Sequence, residues 1–163
     1  MYTIRKISKK EAAVIHHLGT EVYHTTYTTI LSRAQIDFML RKNYSPEAIQ
    51  QSMIDGQDFY LIFQQQEKPL GFIALQKKSE DILRIEKLYL LANSQGRGLG
   101  KKLIDFAIEK AKECDCSILE LNVNRGNRAY YFYLKQGFQV MKEVDIPYYG
   151  YILDDYVMQK LVR

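Results

Sequence analysis

The sequence has no tryptophan, few prolines and only two cysteines, Cys114 and Cys116. A single Cys-x-Cys pair cannot frame a disulfide scaffold, and it supplies too few ligands for a structural zinc ion. No stretch approaches the roughly 18 consecutive apolar residues of a membrane span, and residues 1–6 lack the apolar core of a signal peptide. These absences predict a cytoplasmic protein with reduced cysteines and no membrane partner.

An excess of charge of one sign is also missing. The net charge is +4, and lysine and arginine are interspersed with aspartate and glutamate rather than clustered on one element. A nucleic-acid partner is therefore not expected, although the small positive net charge suits an anionic cofactor. With 163 residues, of which 47% are apolar and 26% charged, the chain is predicted to form one globular domain spanning residues 1–163.

Histidine is equally sparse and forms no metal-binding or nucleophile-activating pattern. His16, His17 and His24 fall on one predicted helix, where no cysteine accompanies them. No metal is therefore expected. No Ser-His-Asp arrangement can be argued either, so a hydrolase nucleophile has no support.

The few glycines are concentrated where a predicted strand ends at Leu91 and a helix follows. Gly96, Gly98 and Gly100 occupy alternate positions ahead of an apolar helical stripe. Glycine lets the backbone turn tightly and exposes its N–H groups, and a helix N-terminus adds unpaired amides and a positive dipole end. This combination favours phosphate binding. The spacing is neither the Gly-x-x-x-x-Gly-Lys-Ser/Thr of a Walker A loop nor the Gly-x-Gly-x-x-Gly of a dinucleotide-binding fold.

The predicted elements alternate between strands and helices along the chain. Alternation and turn residues predict strands over residues 2–7, 58–65, 69–77, 81–91, 118–123, 138–145 and 150–162. Periodicity and capping residues predict helices that begin near Ser8, Ser32 and Ser45, a helix after the glycines, and a helix over residues 127–136 with Gly137 as its C-cap.

Two hairpin turns are predicted between these strands. Gln66–Lys68 separates the second strand from the third, and Pro147 lies in the turn between the last two. The strand, helix and strand around the glycines require a crossover, so the strand ending at Leu91 and the strand over 118–123 are expected to be parallel. The predicted fold class is therefore α/β, with a mixed, mostly antiparallel twisted sheet, flanking helices and one parallel pair.

Two segments resemble the signature of one protein family. Gln95–Gly100 resembles the Gln/Arg-x-x-Gly-x-Gly/Ala pyrophosphate loop of the GNAT superfamily of acyl-CoA-dependent N-acetyltransferases. Asn122–Phe138 resembles the second half of that signature, Asn-x-x-Ala-x-x-x-Tyr-x-Lys-x-Gly-Phe. The two together, in this order and spacing, are specific, and the resemblance covers residues 82–140.

The resemblance implies acetyl-CoA as co-substrate and a primary amine of a small molecule or peptide as acceptor. In the family the pantetheine pairs with the strand before the loop, which here implies the backbone amides of Leu88 and Leu90. The resemblance also implies that the pyrophosphate is held by the amides of Gln95, Gly96, Arg97, Gly98, Leu99, Gly100 and Lys101. Tyr133 matches the family tyrosine that donates a proton to the CoA sulfur or binds it, and a phenol with a pKa near ~10 is protonated at neutral pH.

One position departs from the family pattern. Gly126 stands three residues before Ala129, where the family has asparagine. Asn127 lies one residue later and is the expected contact with CoA, whereas Asn124 lies two residues earlier. The sequence leaves open which of the two asparagines meets the cofactor.

Glu86 is the candidate base. Strand alternation predicts one face shared by Ile82, Arg84, Glu86, Leu88 and Leu90, which would place the carboxylate near the thioester. Glu86 could accept the amine proton directly, act through water, or hold an ammonium group. The alternative is a surface glutamate paired with a neighbouring basic residue.

Two other functions fit parts of the pattern. A non-catalytic acyl-CoA-binding module could carry the same fold. A nucleotide-binding domain could use the glycine loop for ATP, although it would lack the Lys-Ser/Thr pair and the acidic metal ligand that hydrolysis needs. Residues 9–56 and the 146–151 turn are expected to select the amine, without identifying it. A homodimer is left open as well.

Overall fold

The structure is a computed structural model that describes residues 1–65 and 68–163. Its strands are β1 (Tyr2–Lys6), β2 (Asp58–Gln64), β3 (Pro69–Lys77), β4 (Ile82–Leu90), β5 (Ile118–Asn124), β6 (Gln139–Tyr148) and β7 (Tyr151–Leu161). Its α-helices are α1 (Ala12–Thr26), α2 (Arg33–Tyr44), α3 (Pro46–Ile54), α4 (Leu99–Glu113) and α5 (Ala129–Lys135). Within the described ranges, no helix is long and apolar enough to cross a membrane.

The strands form one sheet in the order β1-β2-β3-β4-β5-β7-β6. Every neighbouring pair is antiparallel except β4 and β5, which are parallel. The parallel pairing is short, because it joins only Ile82–Ile85 to Ile118–Leu121. The predicted fold class is confirmed, including the position of its one parallel pair.

Helices cover both faces of this sheet, and each face has its own core. On the α4 face, α4 packs its buried stripe, whose members include Leu99, Leu103 and Ala107, against strand residues such as Ile73 and Leu121. On the α1 face, helices α1 to α3 pack against the opposite side of β2 and β3. The predicted apolar stripe of α4 is therefore a core stripe, and the glycines at its start follow the end of the central strand β4.

Serines begin the first three helices, as their spacing predicts. The hydroxyls of Ser32 and Ser45 accept hydrogen bonds from backbone N–H groups three residues later, at 3.1 and 3.2 Å. Pro46 occupies the first position of α3, where its missing N–H is not needed. Ser8 precedes a short 3-10 turn that leads into α1 at Ala12.

The predicted turn at Pro147 is wrong. Strand β6 continues through Pro147, which pairs with Ile152 of β7, and the turn consists of Tyr149 and Gly150 at φ +49° and +85°. Proline fits here because β6 is the edge strand of the sheet, where a missing N–H costs little. The other predicted turn falls mainly on Gln66 and Glu67, which lie outside the described residues.

Candidate active site

A cleft opens where β4 and β5 part. Their pairing ends at Ile85 and Leu121, after which β5 pairs only with β7. The N–H of Leu91 donates to Leu70 O of β3 at 3.0 Å. Because bonding alternates along an antiparallel pair, the amides of Leu88 and Leu90 point away from β3 and into the cleft. The predicted pairing of these two amides with pantetheine stays a prediction, and they have the orientation it requires.

The glycine loop continues this open edge towards α4. Gly96 and Gly98 have left-handed φ values of +79° and +77°, and a Cβ on either would meet nothing within 4 Å. The first helical bond of α4 runs from Lys102 N to Gly98 O at 3.2 Å. The N–H groups from Gly96 to Lys101 have no backbone partner among the described residues. An anion above the loop would therefore find unpaired donors at a helix N-terminus.

The side chains of the loop support its shape rather than fill this space. Gln95 Nε2 donates to Leu90 O at 3.4 Å, and the Arg97 guanidinium donates to Gln64 Oε1 at 3.3 Å and to Asn93 O at 3.1 Å. Leu99 is buried in the α4 core, so it can offer a ligand only its backbone amide.

Gly100 has a packing role in addition to its expected amide contact with the pyrophosphate, which stays a prediction. It does not adopt a left-handed φ, and a Cβ there would lie 2.9 Å from the Phe132 ring. The residue is small because α4 and α5 approach each other closely at this point. The nearby Lys101 ammonium pairs with Asp105 at 2.7 Å on the exposed side of α4.

The two candidate asparagines have different partners. Asn124 accepts a hydrogen bond from Gly126 N at 2.8 Å and donates to Asp154 at 3.1 Å, so it holds the loop after β5. Asn127 accepts from the backbone N–H at the start of α5 at 2.9 Å and donates to the Tyr27 hydroxyl at 3.3 Å. Asn127 is thus the asparagine that is connected to the tyrosines of the cleft.

Tyr27 joins the two sides of the cleft, which the sequence did not indicate. It follows the last residue of α1, and its hydroxyl lies 3.3 Å from the hydroxyl of Tyr89 on β4 and 3.3 Å from Asn127 Nδ2 beyond β5. Burial raises the pKa of Tyr27, and the Asp155 carboxylate adds to the increase. Tyr27 is therefore a neutral phenol that spans the cleft on its α1 side.

Tyr133 approaches the same region from the α4 side. Its ring is 7% exposed and packs between Phe132 and Phe138, with ring centroids 5.3 and 5.7 Å away. Burial raises the pKa of Tyr133, with a smaller increase from Tyr27. The hydroxyl has no hydrogen-bond partner among the described residues, so it is a protonated donor available to a ligand.

The predicted face of Glu86 is wrong, because a β-bulge lies at this residue. Ala74 pairs with Lys87 and the next residue of β3 pairs with Ile85, which leaves Glu86 without an opposite partner. The extra residue shifts the alternation of β4. Leu88 and Leu90 consequently pack on the α4 face, together with Leu83 and Ile85. Arg84 and Glu86 lie on the α1 face, in one ion-pair network.

That network surrounds the Glu86 carboxylate with cations at the closed end of the cleft. Glu86 Oε1 lies 3.0 Å from Lys78 Nζ and 3.2 Å from Arg84 Nε. Arg84 also pairs with Glu120 across the parallel strands at 2.9 Å. The Lys87 side chain is not part of this network and donates to Gln57 Oε1 at 2.9 Å. An ammonium ligand at Glu86 would therefore compete with two resident cations.

Residues 1–65 and 68–163 contain no group of three or more His, Cys, Asp or Glu side chains that could hold a metal ion. His16 Nδ1 lies 2.7 Å from Tyr44 O, so this ring is held by the chain itself. Cys114 and Cys116 are free thiols at the end of α4.

Comparison with known proteins agrees with this geometry. Residues 28–147 match the family model described as an acetyltransferase (GNAT) domain. The chain is 27% identical over 142 residues to an uncharacterized N-acetyltransferase in the pepI 3' region of Lactobacillus delbrueckii subsp. lactis, with 82% of each chain covered. It is also similar to the crystal structure of the PaiA N-acetyltransferase of Thermoplasma acidophilum in complex with coenzyme A, with a TM-score of 0.84, 25% identity and 99% of each chain covered.

A further similar structure is the ribosomal-protein-S18-alanine N-acetyltransferase of Escherichia coli. Its TM-score is 0.75 at 16% identity, with 99% of this chain and 94% of that one covered, which indicates a shared fold. The family model spans most of the sequence, and the Lactobacillus and Thermoplasma acidophilum relatives are both named N-acetyltransferases. The chain therefore belongs to the GNAT acetyltransferase family and is an N-acetyltransferase.

Proposed function

We propose that acetyl-CoA binds in the cleft between β4 and β5 and that its acetyl group passes to a primary amine of a small molecule or peptide. The observation that carries this proposal is two groups of unpaired backbone amides. The first is Leu88 and Leu90 at the cleft edge and the second is the loop from Gly96 to Lys101, whereas the amides of Leu91, Ser94 and Gln95 between them bond to the chain itself. The first group suits an extended pantetheine arm, and the second suits a pyrophosphate.

In this proposal, residues 1–163 act as one domain that needs little acid-base chemistry of its own, because the thioester is already activated. The amine nitrogen attacks the acetyl carbonyl carbon, a C–N bond forms and the C–S bond breaks. The carbonyl oxygen is polarised by the β4 edge amides, and donors placed in advance stabilise the charge that develops there. The amine loses one proton and the CoA thiolate gains one, so the products are an amide and free CoA.

Tyr133 is the proposed donor to the departing thiolate. It reaches the cleft from α5, its hydroxyl has no partner among the described residues, and burial raises its pKa so that it stays protonated. Asn127 supports the opposite, α1 side of the cleft through its hydrogen bond to Tyr27. The CoA complex of the similar Thermoplasma acidophilum protein supports a cofactor of this kind here.

We expect Glu86→Gln to reduce kcat/KM for acetyl transfer by less than about threefold and to lower the melting temperature by about 2–4 °C. The reason is that Glu86 already pairs with Arg84 and Lys78 and would hold this network together rather than contact the amine. Steady-state kinetics over a range of pH, together with thermal unfolding, would measure both effects. If kcat instead falls about 10²-fold and recovers towards the amine's own pKa, Glu86 is the proton acceptor, directly or through water.

The proposed function is tested by binding and by turnover. Thermal unfolding is measured with acetyl-CoA, CoA and ATP, and release of the CoA thiol is then followed with a panel of primary amines. We expect stabilisation by both CoA forms but not by ATP, and thiol release that depends on the amine. Stabilisation by CoA without amine-dependent thiol release would indicate a non-catalytic acyl-CoA-binding module. Stabilisation by ATP alone would contradict the proposal.

A further inference from the structure

We propose that Asp155 and Asn122 hold the ammonium group of the acceptor and that Asp155 takes its proton before the amine attacks. The proposal rests on the proposed function and adds to it the base and the charge state of the acceptor. Neither residue was a candidate for this role on the sequence, because Asp155 lies outside both motif segments and Asn122 is only the first residue of the second one.

The two residues lie together on the α1 face at the point where the cleft opens. Asn122 directly follows Leu121, the last residue of β5 that pairs with β4. Asp155 of β7 is the pairing partner of Asn124, two residues further along β5. Asn122 Nδ2 donates to Asp155 Oδ2 at 3.4 Å.

Asn122 also carries an acceptor that the described structure leaves unused. Its Oδ1 atom is buried and has no hydrogen-bond partner among the described residues. A buried acceptor without a donor costs free energy, which an N–H donor from a ligand would recover. Asn122 Oδ1 and the Asp155 carboxylate thus belong to two side chains that are hydrogen-bonded to each other, and both are acceptors for an ammonium group.

The charged surroundings of Asp155 differ from those of Glu86. No cation of the described residues lies within salt-bridge distance of Asp155, whereas Glu86 has two. Burial raises the pKa of Asp155, and Asp154 adds to the increase. Asn122 opposes it by donating a hydrogen bond, and the more distant Arg84 and Arg125 oppose it by their charge. Asp155 is therefore the carboxylate of the two that an ammonium group could approach without displacing a resident cation.

The position also suits the direction of attack. Asp155 pairs with Asn124 on the α1 face, which is the face on which Tyr27 is buried. Tyr133 comes from the α4 face and Asp155 from the α1 face. An acceptor held by Asp155 would approach the thioester from the side opposite the proposed sulfur donor.

The proton balance is simple. The ammonium gives one proton to the Asp155 carboxylate, which leaves a neutral amine and a carboxylic acid. The amine then attacks the thioester, and Asp155 returns its proton to solvent after the product leaves. It follows that the preferred substrates are aliphatic primary amines that are cationic at neutral pH, rather than weakly basic amines.

The test compares Asp155→Asn with the wild type on two amines of similar shape. Ethylamine is charged at neutral pH, and trifluoroethylamine is largely neutral there. For ethylamine we expect kcat/KM to fall about 10²-fold, and for trifluoroethylamine less than about threefold. Asp58→Asn is the matched control, because it removes an exposed strand carboxylate on β2, away from the cleft between β4 and β5. The acid limb of the wild-type pH profile with ethylamine should also disappear in Asp155→Asn.

The folded state and the cofactor are monitored separately. Because burial raises the pKa of Asp155, its charged form is unfavourable in the fold at neutral pH, so Asp155→Asn should melt at the same temperature or higher. Its affinity for CoA should be unchanged. Wild-type rates with ethylamine in Asp155→Asn, or equal losses on both amines, would overturn the inference and leave the proposed function intact. If the wild-type protein acetylates no amine, both the proposed function and the inference about Asp155 are wrong.

Discussion

Replacing Gly98 by valine is expected to weaken CoA binding by about 10²-fold while the protein stays folded. Gly98 has φ +77° and open space above it, beside the unpaired amides that begin α4. A β-branched side chain disfavours this left-handed backbone, and its Cβ would enter the space that a phosphate needs. Isothermal titration with CoA would measure the loss of affinity.

Gly150 provides a matched control for this experiment. It has φ +85°, and a Cβ there would also meet nothing within 4 Å, but it lies in the turn between β6 and β7. Gly150→Val should therefore introduce the same kind of backbone strain with little effect on the affinity for CoA. A folded Gly98→Val protein that binds CoA as tightly as the wild type would show that the pyrophosphate lies elsewhere.

Replacing Tyr133 by phenylalanine should lower kcat by about 10²-fold or more. The ring would keep its packing between Phe132 and Phe138, and the lost hydroxyl has no partner among the described residues, so the melting temperature should barely move. Because burial raises the pKa of Tyr133, the wild-type donor should stay protonated, and no fall in kcat from its ionisation is expected below about pH 10.

Tyr130→Phe serves as the control for that variant. Tyr130 lies on the same helix, and its ring contacts Tyr156 at a centroid distance of 4.9 Å. We expect its kcat to stay within about twofold of the wild type. If Tyr133→Phe instead unfolds at a lower temperature while turnover per folded molecule is intact, Tyr133 is a packing residue and the thiolate takes its proton from water.

Much of the fold could be predicted because its signals are local. The capping serines, the alternating strands and the apolar stripe of α4 each involve residues close together in the sequence. The glycine loop is local as well, since the turn and the helix start are adjacent. The fold class followed from these elements and one crossover.

The errors concern properties that depend on pairing between distant strands. Alternation along β4 alone predicts that Glu86 and Leu88 share a face, but the bulge is created by the register with β3. Proline is typical of turns, which is where the sequence predicts Pro147, and only the sheet order shows that β6 is an edge strand that can contain it. Gly100 is small because of Phe132, a contact that only tertiary packing creates.

The sequence did not indicate several residues of the cleft for the same reason, because their contacts join distant parts of the chain. Thirteen tyrosines are present, and no local pattern distinguishes Tyr27 or Tyr89 from the others. Their hydroxyls meet across 62 residues of sequence, and Tyr27 meets Asn127 across 100. Asp155 belongs to a strand without a motif, and the role that we propose for it depends on its neighbours in the sheet.

A crystal structure of the protein with CoA tests the central claim most directly. The account predicts the pyrophosphate within hydrogen-bond distance of the backbone amides between Gly96 and Lys101. It also predicts the pantetheine along the β4 edge at Leu88 and Leu90, and the sulfur beside the Tyr133 hydroxyl. A CoA molecule bound outside the cleft between β4 and β5, or with its pyrophosphate away from the glycine loop, would contradict the account.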